Sequence, residues 1–310
     1  MRLPDISADA LYRLWEEQIH CWETARHNYE ALATVKERTI EIGGVVFRIQ
    51  HNPGRITSVS SSARTTAERP CFLCKNNLPA KQLRIPYMDD YHILVNPFPI
   101  FRRHFTIPAI THTPQRIDGR METMLDLTRL CSPYTLFYNG ARCGASAPMH
   151  MHFQAVNDGY LPIENQWRET SRTAISAHGT AQLFILENLL RPVLMITATD
   201  SNDATALFSK LCHALPSAGL EEPMINIVTR YESGQWLILL FLRRKHRPDR
   251  YYATDNTQRL ISPGAVEMGG VIITPRPEDF ERLTAQEIVE IYQEVCPDKS
   301  DISRILQRLQ

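Results

Sequence analysis

His150-Met151-His152-Phe153-Gln154 alternates polar and apolar side chains over five residues. Successive side chains of a strand point to opposite faces, so His150, His152 and Gln154 share one face while Met151 and Phe153 take the other. The pentapeptide therefore predicts a strand with a core behind it and three polar heads in front. Just upstream, Asn139-Gly140-Ala141-Arg142-Cys143-Gly144-Ala145-Ser146-Ala147-Pro148 is a loop of mostly small residues. Such a loop lets backbone N–H groups close around an anion. Imidazole is a good nucleophile toward phosphorus when its second nitrogen is held as a donor. Gln154, Ser146 and the loop amides are then candidates to steady charge on the non-bridging oxygens.

Working outward, Tyr91 to Asn96 and His104 to Pro108 read as strands, residues 116–132 as a helix, and Tyr134 to Tyr138 as a strand again. Strand, strand, helix, strand, strand predicts an α+β unit with helices against an antiparallel sheet. Towards the N-terminus, residues 7–37 carry helical spacing. A Gly43-Gly44 pair then joins two short strands as a hairpin, and Arg55 to Val59 suggests a third strand. Residues 60–69 read as an exposed connection. The second half repeats this grammar: strands at Leu183 to Leu186 and Pro192 to Thr197, a helix at Asp203 to Leu215, and a hairpin from Met224 to Leu242 turning at Ser233-Gly234. Thr284-Ala285-Gln286-Glu287 is a capping box opening a further helix.

The length of 310 residues suits two domains or one duplicated fold, and 43% hydrophobic residues suffice for a packed core. Thirty-four Lys and Arg balance 34 Asp and Glu, which removes the diffuse cationic field of a nucleic-acid binder. No apolar run approaches the ~18 residues of a membrane helix and no signal-peptide core opens the chain, so the expectation is a soluble cytoplasmic protein without membrane partners. Five of the seven Cys lie scattered, as reduced cytosolic thiols do.

Cys71 and Cys74 differ, because C-x-x-C lets two thiolates reach one metal from a knuckle turn. With no second such pair, two His must complete a site, and His112 and His150 stand at equal steps of 38 residues beyond Cys74. A redox pair is the rival reading, although that motif normally opens a helix and Asn76-Asn77-Leu78-Pro79 follows here.

Taken together, Cys71-Phe72-Leu73-Cys74, Asn96-Pro97-Phe98, Pro108 with His112, and Asn139 to Gln154 resemble the nucleotidylyltransferase branch of the histidine-triad superfamily. That branch includes galactose-1-phosphate uridylyltransferase, diadenosine tetraphosphate phosphorylase and GDP-L-galactose phosphorylase. The resemblance covers residues 40–160 or so, and the second half matches a degenerate second unit only weakly. It implies duplicated histidine-triad-like units, residues 1–165 catalytic with a zinc knuckle and 166–310 degenerate.

By the same resemblance, His152 is the residue that becomes nucleotidylated, with Gln154 as its catalytic partner in place of the third His of the hydrolases. Cys71, Cys74, His112 and His150 are the implied Zn2+ ligands, with His104 a rival to His112. Asn96 and Phe98 match the base and ribose pocket, and Asn139, Gly144 and Ser146 the phosphate loop. Met151 and Phe153 lean toward the phosphorylases and the Cys knuckle toward the uridylyltransferases.

Arg243-Arg244-Lys245-His246-Arg247 is the densest cationic run. Arg244 and Lys245 are read from it as phosphate-neutralising residues, with a solvated strand end as the alternative. The expected activity is nucleotidyl transfer or phosphorolysis on a nucleoside diphosphate sugar or dinucleoside polyphosphate, with phosphate or a sugar phosphate as second small-molecule partner. A nucleotide hydrolase and a non-catalytic zinc-stabilised nucleotide-binding protein are the alternatives, and a homodimer is left open.

Overall fold

The computed structural model describes residues 6–56, 70–216 and 222–309. The helical stretch expected at 7–37 is two helices, α1 (Ala8–Cys21) and α2 (Glu23–Glu30). Trp22 adopts an extended conformation between them, and Ser7 caps α1 by accepting from the Ala10 N–H at 3.2 Å. Strands β1 (Lys36–Ile42) and β2 (Val45–His51) follow as an antiparallel hairpin. Its two-residue turn holds Gly43 and Gly44 at φ 57° and 80°, a conformation that side chains disfavour and glycine accepts freely. The third strand expected from Arg55 is absent over the described part: Pro53–Arg55 is a 3-10 turn, led by a proline whose missing N–H suits a first helical position. Residues 57–59 of that expectation, and the expected connection at 60–69, lie outside the described residues.

Two five-stranded units come next. The first comprises β3 (Arg84–Tyr87), β4 (Tyr91–Val95), β5 (His104–Pro108), helix α3 (Met121–Leu130), β6 (Thr135–Asn139) and β7 (His152–Val156). After helix α4 (Ile163–Glu169), the second comprises β8 (Arg172–His178), β9 (Ala181–Leu186), β10 (Val193–Ala198), helix α5 (Ser201–Ala214), β11 (Ile225–Glu232) and β12 (Gln235–Leu242). In space the units run β3-β4-β5-β7-β6 and β8-β9-β10-β12-β11. Each is a three-stranded meander, a helix and a hairpin whose last strand slots in beside the meander. This is an internal duplication of an α+β fold, and it matches the grammar read from the sequence.

The units join through antiparallel β6 and β11, with Asn139 opposite Asn226, so one ten-stranded sheet spans both. Its two faces carry separate cores. Phe153 and Ala155 of β7, with Met151 just ahead of it, face α1, α3, α5 and the terminal helix Lys299–Gln307. Burying Met151 and Phe153 completely contributes about 1.5–3 kcal/mol each. Phe137 of β6 and Val156 of β7 face the opposite way, toward β2 and β13 (Val271–Thr274) of a small three-stranded sheet and the short helix Ala265–Met268. Helix Ala285–Val295 packs here too, behind the expected capping box, in which the Thr284 side chain accepts from the Glu287 N–H at 3.2 Å. None of the helices among the described residues is long and apolar enough to cross a membrane.

Candidate active site and metal centre

By strand alternation His152 and Gln154 face the small sheet rather than the helices. The His152 ring is buried, and its Nδ1 lies 2.8 Å from the carbonyl oxygen of His150. A carbonyl only accepts, so Nδ1 carries the proton and the neutral ring presents its lone pair on Nε2. Burial pushes the His152 pKa down to about 4, which keeps the ring uncharged at neutral pH. The backbone of His152 is gripped by Gln115, whose Oε1 accepts the His152 N–H at 2.7 Å. The Gln115 Nε2 donates to the carbonyls of His152 and Asn139, both at 2.9 Å. One buried amide therefore sets the start of β7 against the start of the 139–148 loop.

Gln154 sits beside Thr106 in the β5–β7 register, and its Oε1 lies 2.8 Å from Nε2 of His104. His104 is thus fully inside the site wall and apart from the cysteines, which removes it as a rival to His112. Above this wall, Arg55 donates to the Phe98 carbonyl at 3.0 Å, and its charge helps depress His104, whose pKa burial carries down to about 3. Burial raises the Glu267 pKa on the same side, and Arg55 and Arg243 oppose that rise.

The 139–148 loop is shaped by the second half of the chain. Asn139 is buried, and its Oδ1 accepts from Asn226 Nδ2 at 2.9 Å and from the Ala265 N–H at 2.7 Å. Asn226 also donates to the Cys143 carbonyl at 2.7 Å. Gly144 has φ +93°, and a Cβ there would lie 2.8 Å from Gly264 Cα, so the loop and the Pro263-Gly264 turn touch backbone to backbone. Ser146 is exposed at the loop's far side. Asn96 donates to Thr106 Oγ1 at 3.0 Å and accepts the Phe98 N–H at 2.9 Å, leaving the Phe98 ring 54% exposed at the rim.

Arg244 and Lys245 do not join these residues in any hydrogen bond or ion pair. Arg244 donates to the Glu294 and Gln293 carbonyls at 3.1 and 2.9 Å, and Lys245 pairs with Asp249 and Glu294. Arg244 thus satisfies open carbonyls at the end of helix Ala285–Val295, where cations are favoured, and Lys245 is committed to two carboxylates beside it. The expectation that they neutralise bound phosphate is corrected accordingly. Arg243 is equally committed: its two terminal nitrogens donate to Asn226 Oδ1 and the carbonyls of Pro263, Lys245 and His246 at 2.7–3.1 Å.

Cys71, Cys74, His112 and His150 converge, with their ligand atoms all within 4.8 Å of one another. The His150 Nε2 lies 2.7 Å from the Ala109 carbonyl, so that nitrogen is the donor and Nδ1 is free to ligate. Nδ1 stands 3.3 and 3.6 Å from the Cys71 and Cys74 sulfurs, and His112 Nδ1 is 3.0 Å from Cys74. The knuckle is closed by Cys74 N–H to Cys71 O at 3.2 Å and by Asn77 Nδ2 to the same carbonyl at 2.8 Å. Two thiols and two imidazoles thus bring four ligand atoms together in a group that could hold a metal ion.

The whole-chain topology now has a counterpart. Among solved structures, yeast Ap4A phosphorylase Apa2 in complex with AMP covers 90% of this chain and 96% of its own, with a TM-score of 0.55 at 10% identity. The fold is shared with that yeast enzyme. The same yeast enzyme in complex with Ap4A gives a TM-score of 0.50 at 11% identity over 88% of this chain and 96% of that one. A DUF4931 family protein from Bacillus cereus gives 0.41 at 12% identity, covering 60% and 96%. In sequence, residues 14–157 match the model of a domain of unknown function, DUF4922. No curated protein matches the chain.

Several residues that shape this site carry little or no signal in the sequence. Gln115, Asn226 and Arg55 sit in stretches without any motif. Asn226 carried one usable signal, a polar residue inside an apolar strand. Gln115 and Arg55 carried none.

Proposed function

We propose that the chain is a nucleotidyl-transferring enzyme, a phosphorylase or transferase working through a covalent nucleotidyl-His152 intermediate. The carrying observation is the His152 ring itself, neutral, locked with its proton on Nδ1, and offering Nε2 beside an amide and a small-residue loop. In the first half-reaction Nε2 attacks the α-phosphorus, an N–P bond forms, and the P–O bond to the outgoing phosphate breaks with the electron pair leaving on that oxygen. In the second, an oxygen of inorganic phosphate or a sugar phosphate attacks the same phosphorus, and Nε2 recovers its lone pair.

Gln154 and the amides of the 139–148 loop stabilise charge on the non-bridging oxygens, and Asn96 and Phe98 line the nucleoside end. Gln154 in place of a third His disfavours water as acceptor, since an amide cannot shuttle a proton. A dinucleoside polyphosphate is the preferred substrate class, in line with the solved relatives of this fold. Residues 1–165 supply the chemistry and 166–310 the degenerate unit, whose β12 reads Trp-Leu-Ile-Leu-Leu where β7 has its histidine. Cys71, Cys74, His112 and His150 would hold a zinc ion whose contribution is to brace the strand carrying His152.

Incubation with α-32P-labelled Ap4A and a panel of nucleoside diphosphate sugars should leave acid-labile label on wild type and none on His152→Ala. Phosphate should discharge the label from a phosphorylase, and a sugar 1-phosphate from a transferase. If no compound labels a folded wild-type protein, nucleotidyl transfer through His152 is wrong.

A further inference from the structure

We propose that His104 is a positioning residue that fixes the Gln154 side-chain amide with its NH2 group toward the substrate phosphate. The role of Gln154 rests on the nucleotidyl-transfer reading above; the orientation does not.

The orientation follows from what each atom is able to do. The backbone N–H of Ile100 points at Nδ1 of His104 from 3.3 Å, and an N–H only donates. Nδ1 is therefore a lone pair, and the neutral ring carries its proton on Nε2. That Nε2–H lies 2.8 Å from the Gln154 side chain and needs an acceptor there, which only the amide oxygen supplies. With Oε1 taken, the Gln154 NH2 points away from His104, and it has no partner among the described residues. Burial keeps His104 neutral to about pH 3, so the tautomer does not change over any working range. The ring is held in place by Phe101, edge-on at 5.5 Å, and by Phe137 at 6.1 Å.

A transferring phosphoryl group presents only acceptors. An amide free to turn would place its oxygen there part of the time and repel the charge that grows in the transition state, whereas a pinned amide always donates. His104 then acts on the chemical step through Gln154, without touching substrate.

The test is a double-mutant cycle with Ap4A, using His104→Phe to keep the ring volume without the N–H. In the wild-type background this variant should lower kcat about 10- to 30-fold with KM within about twofold, and His104→Gln, which retains a donor, should recover part of it. In the Gln154→Ala background, His104→Phe should cost no further activity. An equal loss in both backgrounds, or full activity of His104→Phe, overturns the proposal. Separately, 15N-histidine NMR of the wild-type protein should show His104 with unprotonated Nδ1 and protonated Nε2. A protonated Nδ1 overturns the orientation even if no nucleotide labels the protein. Absence of labelling together with the expected tautomer leaves the orientation standing and removes only the nucleotidyl-transfer reading.

Discussion

His150 does two jobs with two different atoms. Its Nδ1 points into the Cys71, Cys74 and His112 cluster, while its carbonyl accepts the proton that fixes the His152 tautomer. A metal held by the proposed cluster would therefore be coupled to the orientation of the His152 ring through one residue. Purified protein should contain about one zinc per chain by elemental analysis, and Cys74→Ser should lose it. Because supporting interactions of this kind typically change activity about 10- to 100-fold, Cys74→Ser should lower kcat by that order while leaving KM within about threefold. A metal-free wild type would sink the zinc assignment, and a metal-free Cys74→Ser with full kcat would sink the coupling.

At the scale of elements, the strand carrying His152 and Gln154 was readable in part: alternation declares its faces without a partner, but the strand starts only at His152, and His150 and Met151 of the expected pentapeptide precede it. The hairpins and the Thr284 capping box were readable for the same reason, since glycine pairs and capping boxes are local. β3 and β8 were missed: Arg-Ile-Pro-Tyr is short and holds a proline, and Arg172–His178 is a largely exposed edge strand whose composition shows no buried face. Arg244 and Lys245 were misread because a helix end nearly fifty residues downstream consumes them. The glycines between Ser262 and Gly270 read as a turn, but the contact of Pro263-Gly264 with Gly144 spans 120 residues and no local signal declares it. That contact makes a prediction. A methyl at Gly144 meets Gly264 Cα at 2.8 Å in a φ +93° backbone, so Gly144→Ala must displace either the loop or its roof. It should destabilise the protein by about 1–3 kcal/mol by thermal or urea melts and abolish most labelling of His152. Gly43→Ala, strained but with open space around it, should cost about 1 kcal/mol and leave labelling intact. Wild-type labelling of Gly144→Ala would show that the loop is not held as described.

For the whole molecule, the shared sheet predicts that the first unit depends on the second. The first unit ends at β6, whose outer edge is covered only by β11. Removing residues 166–310 would expose that edge along Leu136, Phe137, Tyr138 and Asn139, all buried in the full chain. β2 would also lose β13, its parallel neighbour from the second half. Both cores are shared as well: Trp236 donates to the Leu125 carbonyl at 3.0 Å, and Thr128 and Thr229 hydroxyls meet at 2.7 Å. Asn226, which holds the 139–148 loop, and Arg243, which bonds to Asn226, would be gone with them. An uncovered apolar edge strand is a template for association, so residues 1–165 expressed alone should aggregate or melt without a cooperative transition. Co-expression with 166–310 should restore a soluble complex that is labelled at His152. A monomeric, cooperatively folded 1–165 fragment with full labelling would instead mean that the second unit contributes neither edge cover nor loop geometry, and that the ten-stranded sheet is two independent sheets in contact.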